Sequence, residues 1–560
     1  MSVIGEAALS AFFEVLFDKL SSSDLLTIFK QEQVHADLKK WKTTLPKIRA
    51  VLDDAEDKQM TSKPVKIWLD ELEDLAYDVD DILDEFATEA LRRKLNAEEP
   101  STSKVRKLIP ACCVGLNPSS IMFDANMRSK INKINTRLQE IVTQKKDLEL
   151  TDSAEGRTRT RRPRLLTTSL VNEGHVYGRD EDKKAIVKLL LSGESSYAQL
   201  SVIPILARGL CYRLENILDK QFEISTKVRH FSYIRSFYEG MKKFEDFPKD
   251  MHLRTFLPLP IKNWGHLTNY VPNRWLPQLR CLRVLSLCGY SIVELPSSIG
   301  DLKHLRYLNL SNTRITSLPE STTSLYNLQT LLLKGCNRLI KLPEKIGNLL
   351  NLRHLDIIDV DLIREMPAGI KELKSLQTLS NFVVGKDTAS KIGDLMNLES
   401  LRGTLRISNL ENVLGVEDAR RANLIGKKNL DALVMKWKPG LDDLQVARSS
   451  LDILEMLRPW TTVKEISIDG YVGAKFPTWF GHPSFSNMVF LRIERCEKCT
   501  SLPAIGQLPS LRNLVLVGLA AVQTVGLEFY GEDCPKPFQS LESLCFKDMQ
   551  EWKAKQYPHT

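Results

Sequence analysis

No stretch of this 560-residue chain approaches the roughly 18 apolar residues that a membrane-spanning helix needs. Nor is a secretory leader expected at its start. ALSAFFEVLF is apolar, but Glu6 precedes it, Glu14 interrupts it, Asp18-Lys19 follows it and no basic cluster leads it. Aromatic residues make up only 7%, and none lies between the arginines of TDSAEGRTRTRRPRLLTTSL. Interleaved rings are what a single-stranded nucleic-acid surface uses for stacking, so Arg157, Arg159, Arg161, Arg162 and Arg164 read first as a solvated linker, with a nuclear-targeting or nucleic-acid patch as the alternative. A net charge of +8 over this length also demands no nucleic-acid partner. The ten cysteines follow no disulfide framework, and Cys496-x-x-Cys499 has no second pair to complete a zinc site. G-x-S-x-G and H-E-x-x-H are both missing, and the nine histidines fall in no catalytic motif. The expectation is a cytoplasmic binding protein, with no enzyme activity and no metal.

What is present divides the chain in two. Residues 1–149 carry helical apolar stripes. Ile4, Ala8, Phe12, Leu16 and Leu20 fall four apart, thickened by Phe13 and Phe17. Leu38, Trp41, Leu45, Ile48, Leu52 and Ala55 form a second stripe, which Pro46 is expected to kink or divide. TSKP (61–64) suits a helix start, and Leu69, Leu72, Ala76, Val79, Leu83 and Phe86 share one face of the helix it opens. A fourth helix is expected over 125–147, with Ile131, Ile134, Leu138 and Ile141. Four such seams predict a helical bundle.

Beyond residue 280 the sequence repeats. CLRVLSLCGYSIVELPSSIGD, HLRYLNLSNTRITSLPESTTS, NLQTLLLKGCNRLIKLPEKIGN and NLRHLDIIDVDLIREMPAGIKE align, their first leucines (Leu282, Leu305, Leu328, Leu352) 23, 23 and 24 residues apart. This is the leucine-rich repeat, in which each unit contributes one short strand and a return segment to an α/β solenoid. The pattern loosens after 380 and returns at TVKEISIDG, FLRIERCEKCTSLP, LRNLVLVG and LESLCFKD. EWKAKQYPHT shows no polar cap, so the array is expected to be truncated there. Residues between the leucines should face the concave side: Tyr307, Asn309, Ser311, Thr330, Leu332, Lys334, His354, Asp356, Arg492, Glu494 and Arg495. Their mixed character suits protein binding.

Between Asp70 and Glu85 lie nine carboxylates and no basic residue. Like charges at i,i+3 and i,i+4 repel, so this helix reads either as a solvated face or as a surface opposed by a basic partner. One further join is abrupt. LSVIPI (200–205) reads as a buried strand of the kind that leads into a phosphate loop, yet LARGLCYRLEN comes directly after it. G-x-x-x-x-G-K-[ST] occurs nowhere, and Gly426-Lys427-Lys428 lacks both the spacing and the hydroxyl.

GEAALSAFFEVLFDKL, AVLDDAEDKQ, VKIWLDELEDLAYDVDDILDEF and VYGRDEDKKAIVKLLL, followed by KVRHFSYIR, LRTFLPL and the repeats, resemble plant coiled-coil, nucleotide-binding (NB-ARC), leucine-rich-repeat disease resistance proteins. The resemblance implies an Rx-type bundle (1–149), a basic linker (150–175), the start of the nucleotide-binding domain (176–205), a connector (206–270) and repeats (271–560). It implies an intracellular immune receptor that recognises a pathogen effector or a guarded host protein. Contact with the plasma membrane and self-association through the bundle belong to the same expectation. The acidic motif (Glu73, Asp74, Asp78, Asp80, Asp81) would contact a basic patch on the chain's own repeats. Val176, Gly178 and Arg179 match the stretch near the adenine of bound ADP or ATP. The phosphate loop, the second strand's aspartates and the later sensor are missing, so no nucleotide or magnesium is expected to bind. The alternative is a passive binding or decoy protein that regulates full-length receptors.

Overall fold

The computed structural model describes, apart from short gaps, residues 32–98, 118–150, 211–214 and 228–552, together with Phe13 and Leu16. Two compact units divide the chain near Cys211.

The first unit contains α1 (Glu32–Arg49), α2 (Leu52–Lys58), α3 (Lys63–Glu98) and α4 (Pro118–Asp147). Every expected stripe residue of these four helices is buried, from Leu38 and Trp41 through Ile141. Phe13 and Leu16 are helical and buried as well; the rest of the first stripe lies outside the described residues. Pro46 sits inside α1, and the division comes at Ala50–Val51, one turn later. Proline removes the donor for the carbonyl four residues back, and the helix tightens to a close, with Val51 N–H bonding to Ile48 C=O at 3.1 Å. Two indoles pin α4 across the bundle. Trp41 Nε1 donates to Asn135 Oδ1 (2.7 Å), and Trp68 Nε1 donates to the Ile141 carbonyl (3.0 Å).

The second unit is the solenoid. Strands Val284–Ser286, Tyr307–Asn309, Thr330–Leu332 and His354–Asp356 pair in parallel, Tyr307 opposite Thr330 and Thr330 opposite His354. Leu282, Leu305, Leu328 and Leu352 are fully buried. The recurring Leu-Pro or Met-Pro pair has a local role. Pro296, Pro319 and Pro367 are extended residues that each open a 3-10 turn: Ser297–Asp301, Glu320–Ser324 and Ala368–Glu372. The residue that leaves each strand is left-handed. Gly289, Asn312, Gly335 and Asp359 occupy this place in four successive units, as their residue types permit.

The sheet starts earlier than the expected boundary at 271. His230–Ile234 and Thr255–Leu259 pair in parallel, the second pairs with Val284–Ser286, and Cys211–Leu214 joins the same sheet. The connector is therefore largely the solenoid's first turns. The repeat pattern is hidden there because aromatic residues stand where leucines would: Phe231, Tyr233 and Phe256 pack with Phe244, Phe247 and Trp275.

A second parallel sheet begins at Phe382–Val383 and continues through Gly403–Ser408, Leu430–Lys436, Glu465–Asp469, Phe490–Glu494, Asn513–Val517 and Ser543–Lys547. The loosened pattern after 380 thus keeps the same architecture. Its period varies because two returns carry α-helices, α5 (Val416–Arg421) and α6 (Leu444–Met456), in place of single 3-10 turns. In the last strand, Leu544 is 48% exposed although its register partner Leu514 is fully buried. Among the described residues, no helix is long and apolar enough to cross a membrane.

Candidate functional site

Parallel stacking turns one sequence position into a row. The residue just ahead of each strand is Arg229, Arg254, Arg283, Arg306, Gln329, Arg353, Gln377 and Arg402 in successive turns. From Arg254 onward, each backbone N–H bonds to the carbonyl of the one before, at 2.6–2.8 Å. Six of the eight are arginine. The field of this row reaches two histidines. Burial, then Arg254, Arg229 and Arg283, push His230 down to about 4. Burial, then Arg402 and Arg353, also lower His354. Each ring makes the same contact, His230 Nδ1 to Thr255 Oγ1 and His354 Nδ1 to Thr378 Oγ1, both at 2.9 Å.

The sequence candidates between the leucines divide into two groups. In the first sheet most serve the fold. Asn309 Oδ1 accepts from Ser311 N–H (2.9 Å) and Asp356 Oδ1 from Ile358 N–H (3.0 Å), so each closes the turn that ends its strand. Asn309 Nδ2 also donates to the Tyr307 hydroxyl (3.3 Å), and burial raises that phenol to about 12. Ser311, Thr330 and Leu332 are buried, whereas Lys334, His354 and Asp356 are half-buried.

In the second sheet Arg492, Glu494 and Arg495 belong to one charged cluster. Arg492 pairs with Glu494 (2.7 Å), and Arg495 reaches both Glu494 (3.0 Å) and Asp469 (2.6 Å). Lys436 approaches the same Asp469 oxygen at 3.4 Å. Arg495 also has φ +53°, in a strand-exit position where Gly470 and Gly518 stand in the turns on either side. A long side chain is strained there, and the two ion pairs hold it. Sequence reading misses Lys436 and Asp469, because neither departs from the repeat pattern. The arginine row is visible in L-R-x-L, where each arginine taken singly reads as ordinary solvation.

The acidic helix is partly compensated within the bundle. Asp78 pairs with Arg137 and Glu85 with Lys130, both cations on α4. Asp80 and Asp81 are buried, while Glu73 and Asp74 are half-buried. Val176, Gly178 and Arg179 lie outside the described residues. Lys427, the lysine beside Gly426, does not fit a phosphate site. Its ammonium is buried and donates to the carbonyls of Leu395 (2.8 Å) and Leu398 (3.0 Å), and burial lowers it to about 8. Cys499 Sγ donates to the Gly473 carbonyl (3.0 Å), as Cys336 does to that of Leu310 (3.0 Å); both are turn contacts.

Residues 8–113 match the Rx N-terminal domain, 280–339 the leucine-rich repeat and 392–519 the R13L1/DRL21 leucine-rich repeats. In these regions the chain is similar to plant disease resistance proteins. A putative disease resistance protein of Arabidopsis thaliana is 43% identical over 61% of the chain and 25% of its own length. The putative disease resistance RPP13-like protein 1 of the same plant is 39% identical over 60% of the chain and 33% of its own length. Disease resistance protein RGA2 of Solanum bulbocastanum is 45% identical over 42% and 24%. The chain therefore spans a quarter to a third of the length of these relatives. Among solved structures, a leucine-rich-repeat protein of Leptospira interrogans covers 59% of this chain and 74% of its own, at 20% identity and a TM-score of 0.35.

His230 makes the site sensitive to acid. Its folded pKa of about 4 lies below an unfolded value near 6.5, so the unfolded chain binds the extra proton between them. The stability is full above pH 6.5 and is lost as pH falls towards 4. His230→Gln should remove roughly 2 kcal/mol of the loss between about pH 7.5 and pH 5, read from urea unfolding of the repeats. An unchanged acid loss would show that His230 does not carry it.

Proposed function

We propose that the protein acts as an immune receptor of the plant disease resistance type, recognising another protein through the concave face of its second sheet. The observation that carries this is Arg495, kept in a left-handed backbone position and fixed by Asp469 and Glu494. A fold selected for stability alone would place glycine there, as its neighbouring turns do. An ordered arginine beside a charged cluster has the character of a binding hot spot. Its partner is a pathogen effector or a host protein that the receptor guards, and the helical bundle passes the signal on. The role is binding rather than catalysis, in the cytoplasm or at the inner face of the plasma membrane. No step depends on ADP or ATP. The lack of a phosphate-loop sequence favours one alternative within this reading, a decoy that binds partners without switching.

Arg495→Gly separates fold from function. It relieves the left-handed strain, so stability should hold or rise by up to about 1 kcal/mol. The response in leaves challenged with pathogen extracts that activate the unaltered chain should nevertheless be lost. A variant that is destabilised, or stable and fully responsive, contradicts the reading.

The second element of the proposal is a contact between α3 and the arginine row. The row from Arg229 to Arg402 spans seven strand steps, about 34 Å. The acidic run from Asp70 to Glu85 covers about 22 Å of helix, so it matches four to five steps. Asp80 and Asp81 are buried, so the half-buried Glu73 and Asp74 are the residues to vary. Association of residues 1–150 with residues 212–560 should weaken on Glu73→Lys with Asp74→Lys, and its dependence on salt should flatten. Equal affinity and an equal salt slope would remove this contact from the proposal.

A further inference from the structure

The row ahead of the strands changes character past Arg402. Gly403 pairs with Leu430 but Thr404 pairs with Ala432, so Asp431 is the extra residue of a bulge. The turns open there into a cavity of about 680 Å³, reached by Arg402, Lys428, Asn429, Asp431, Lys464 and Asn487. Through Lys464 and Asn487 it runs on into a second cavity of about 420 Å³, which adds Ser510 and Arg512. Bulges recur next to functional sites because they interrupt pairing and re-aim side chains. Four cations line this trough. Lys464 pairs with Asp431 (2.8 Å), Arg512 pairs with Glu542 (3.2 Å), and the Lys428 ammonium lies over the Trp460 ring at 4.9 Å. Both ion pairs are more than half exposed. Such pairs contribute little, so an incoming carboxylate can replace either acid at small cost.

Length decides the kind of occupant. The trough runs from the turn of Thr378 to that of Ser540. Six strand steps separate those turns, about 29 Å at the spacing of a sheet. A compact anion would fill one cavity and leave the other empty. An extended polypeptide advances about 3.3 Å per residue, so eight or nine residues cover the whole length.

We propose that this trough docks an extended acidic segment of a partner protein, its carboxylates meeting Arg402, Lys428, Lys464 and Arg512. Asn429, Asn487 and Ser510 supply donors and acceptors for the segment's backbone. The proposal rests on the reading of the repeats as a protein-binding array, but it uses a different surface from the cluster around Arg495.

The test uses the full chain and a fluorescein-labelled decapeptide of alternating glutamate and serine, followed by anisotropy at low and physiological salt. Saturable binding that weakens with salt is expected. Lys428→Glu with Arg512→Glu should weaken it about tenfold or more, and the milder Lys428→Gln with Arg512→Gln should fall between. Lys334→Glu, in the first sheet, should leave it within about twofold. No saturable binding, equal binding of a lysine–serine decapeptide, or an equal effect of Lys334→Glu would overturn the proposal. Displacement by an equal concentration of inorganic tripolyphosphate would also overturn it, in favour of a small-anion site. If the peptide fails to bind while Arg495→Gly still abolishes the response, the trough alone falls. If the peptide binds and Arg495→Gly has no effect, the concave-face reading alone falls.

Discussion

Burial of the repeat leucines against the turns before and after them is the interaction on which the second unit depends. A lone turn leaves both sides of its apolar layer in water and cannot order its own backbone against the entropy of the chain. Stacked, each leucine contributes on the order of 1.5–3 kcal/mol. One apolar cluster runs from Val228 to Phe529, past the point where strand pairing divides between Leu379 and Phe382. Two polar contacts bridge that division, Ile357 N–H to Ser380 Oγ (2.7 Å) and Ser408 Oγ to Asn381 Oδ1 (2.8 Å). The Arg402 N–H bond to the Gln377 carbonyl crosses it as well. At the start of the solenoid a different apolar layer takes over. Phe231, Tyr233, Phe244, Phe247, Phe256 and Trp275 are all buried there, and the Tyr233 and Tyr290 hydroxyls meet at 2.7 Å beneath them.

Once the stack is fixed, function derives from position. A residue type repeated once per turn becomes a line of like groups at a spacing of about 4.8 Å. Arginine at one such position gives a row whose field adds to burial in holding His230 neutral well into the acid range. Past the bulge at Asp431 the same row carries acids as well as cations and opens into a trough. The strand-exit position gives a third line, left-handed in most turns, in which glycine, asparagine and aspartate are routine and Arg495 is not. The three lines offer three surfaces on one scaffold.

Much of this fold is legible in the sequence. The heptad-like steps of α1, α3 and α4 and the 23-residue period each report a buried face, and burial is what sequence periodicity encodes. Three things are not legible there. The first turns of the solenoid use phenylalanine and tyrosine at leucine positions, so the repeat consensus misses them. The distant cations that answer the acidic helix, Arg137 and Lys130, lie 59 and 45 residues from their partners, beyond any local pattern. And among the concave-face candidates nothing in the sequence separates Asn309 and Asp356, which close turns, from Arg492, Glu494 and Arg495, which build a charged cluster. That difference depends on Asp469 and Lys436, supplied by neighbouring turns.

The central claim is that one uninterrupted stack, from the aromatic turns through the second sheet, supports all three surfaces. Hydrogen exchange of the full chain tests it most directly. The Gln377, Arg402 and Val384 amides each bond across turns at or beside the place where the sheets divide. If the stack is continuous, these amides should be protected to the same degree as Leu310 and Leu333 in the regular turns. Fast exchange at Gln377, Arg402 and Val384, with protection kept on either side, would show two separate arrays joined by a hinge and would contradict the claim.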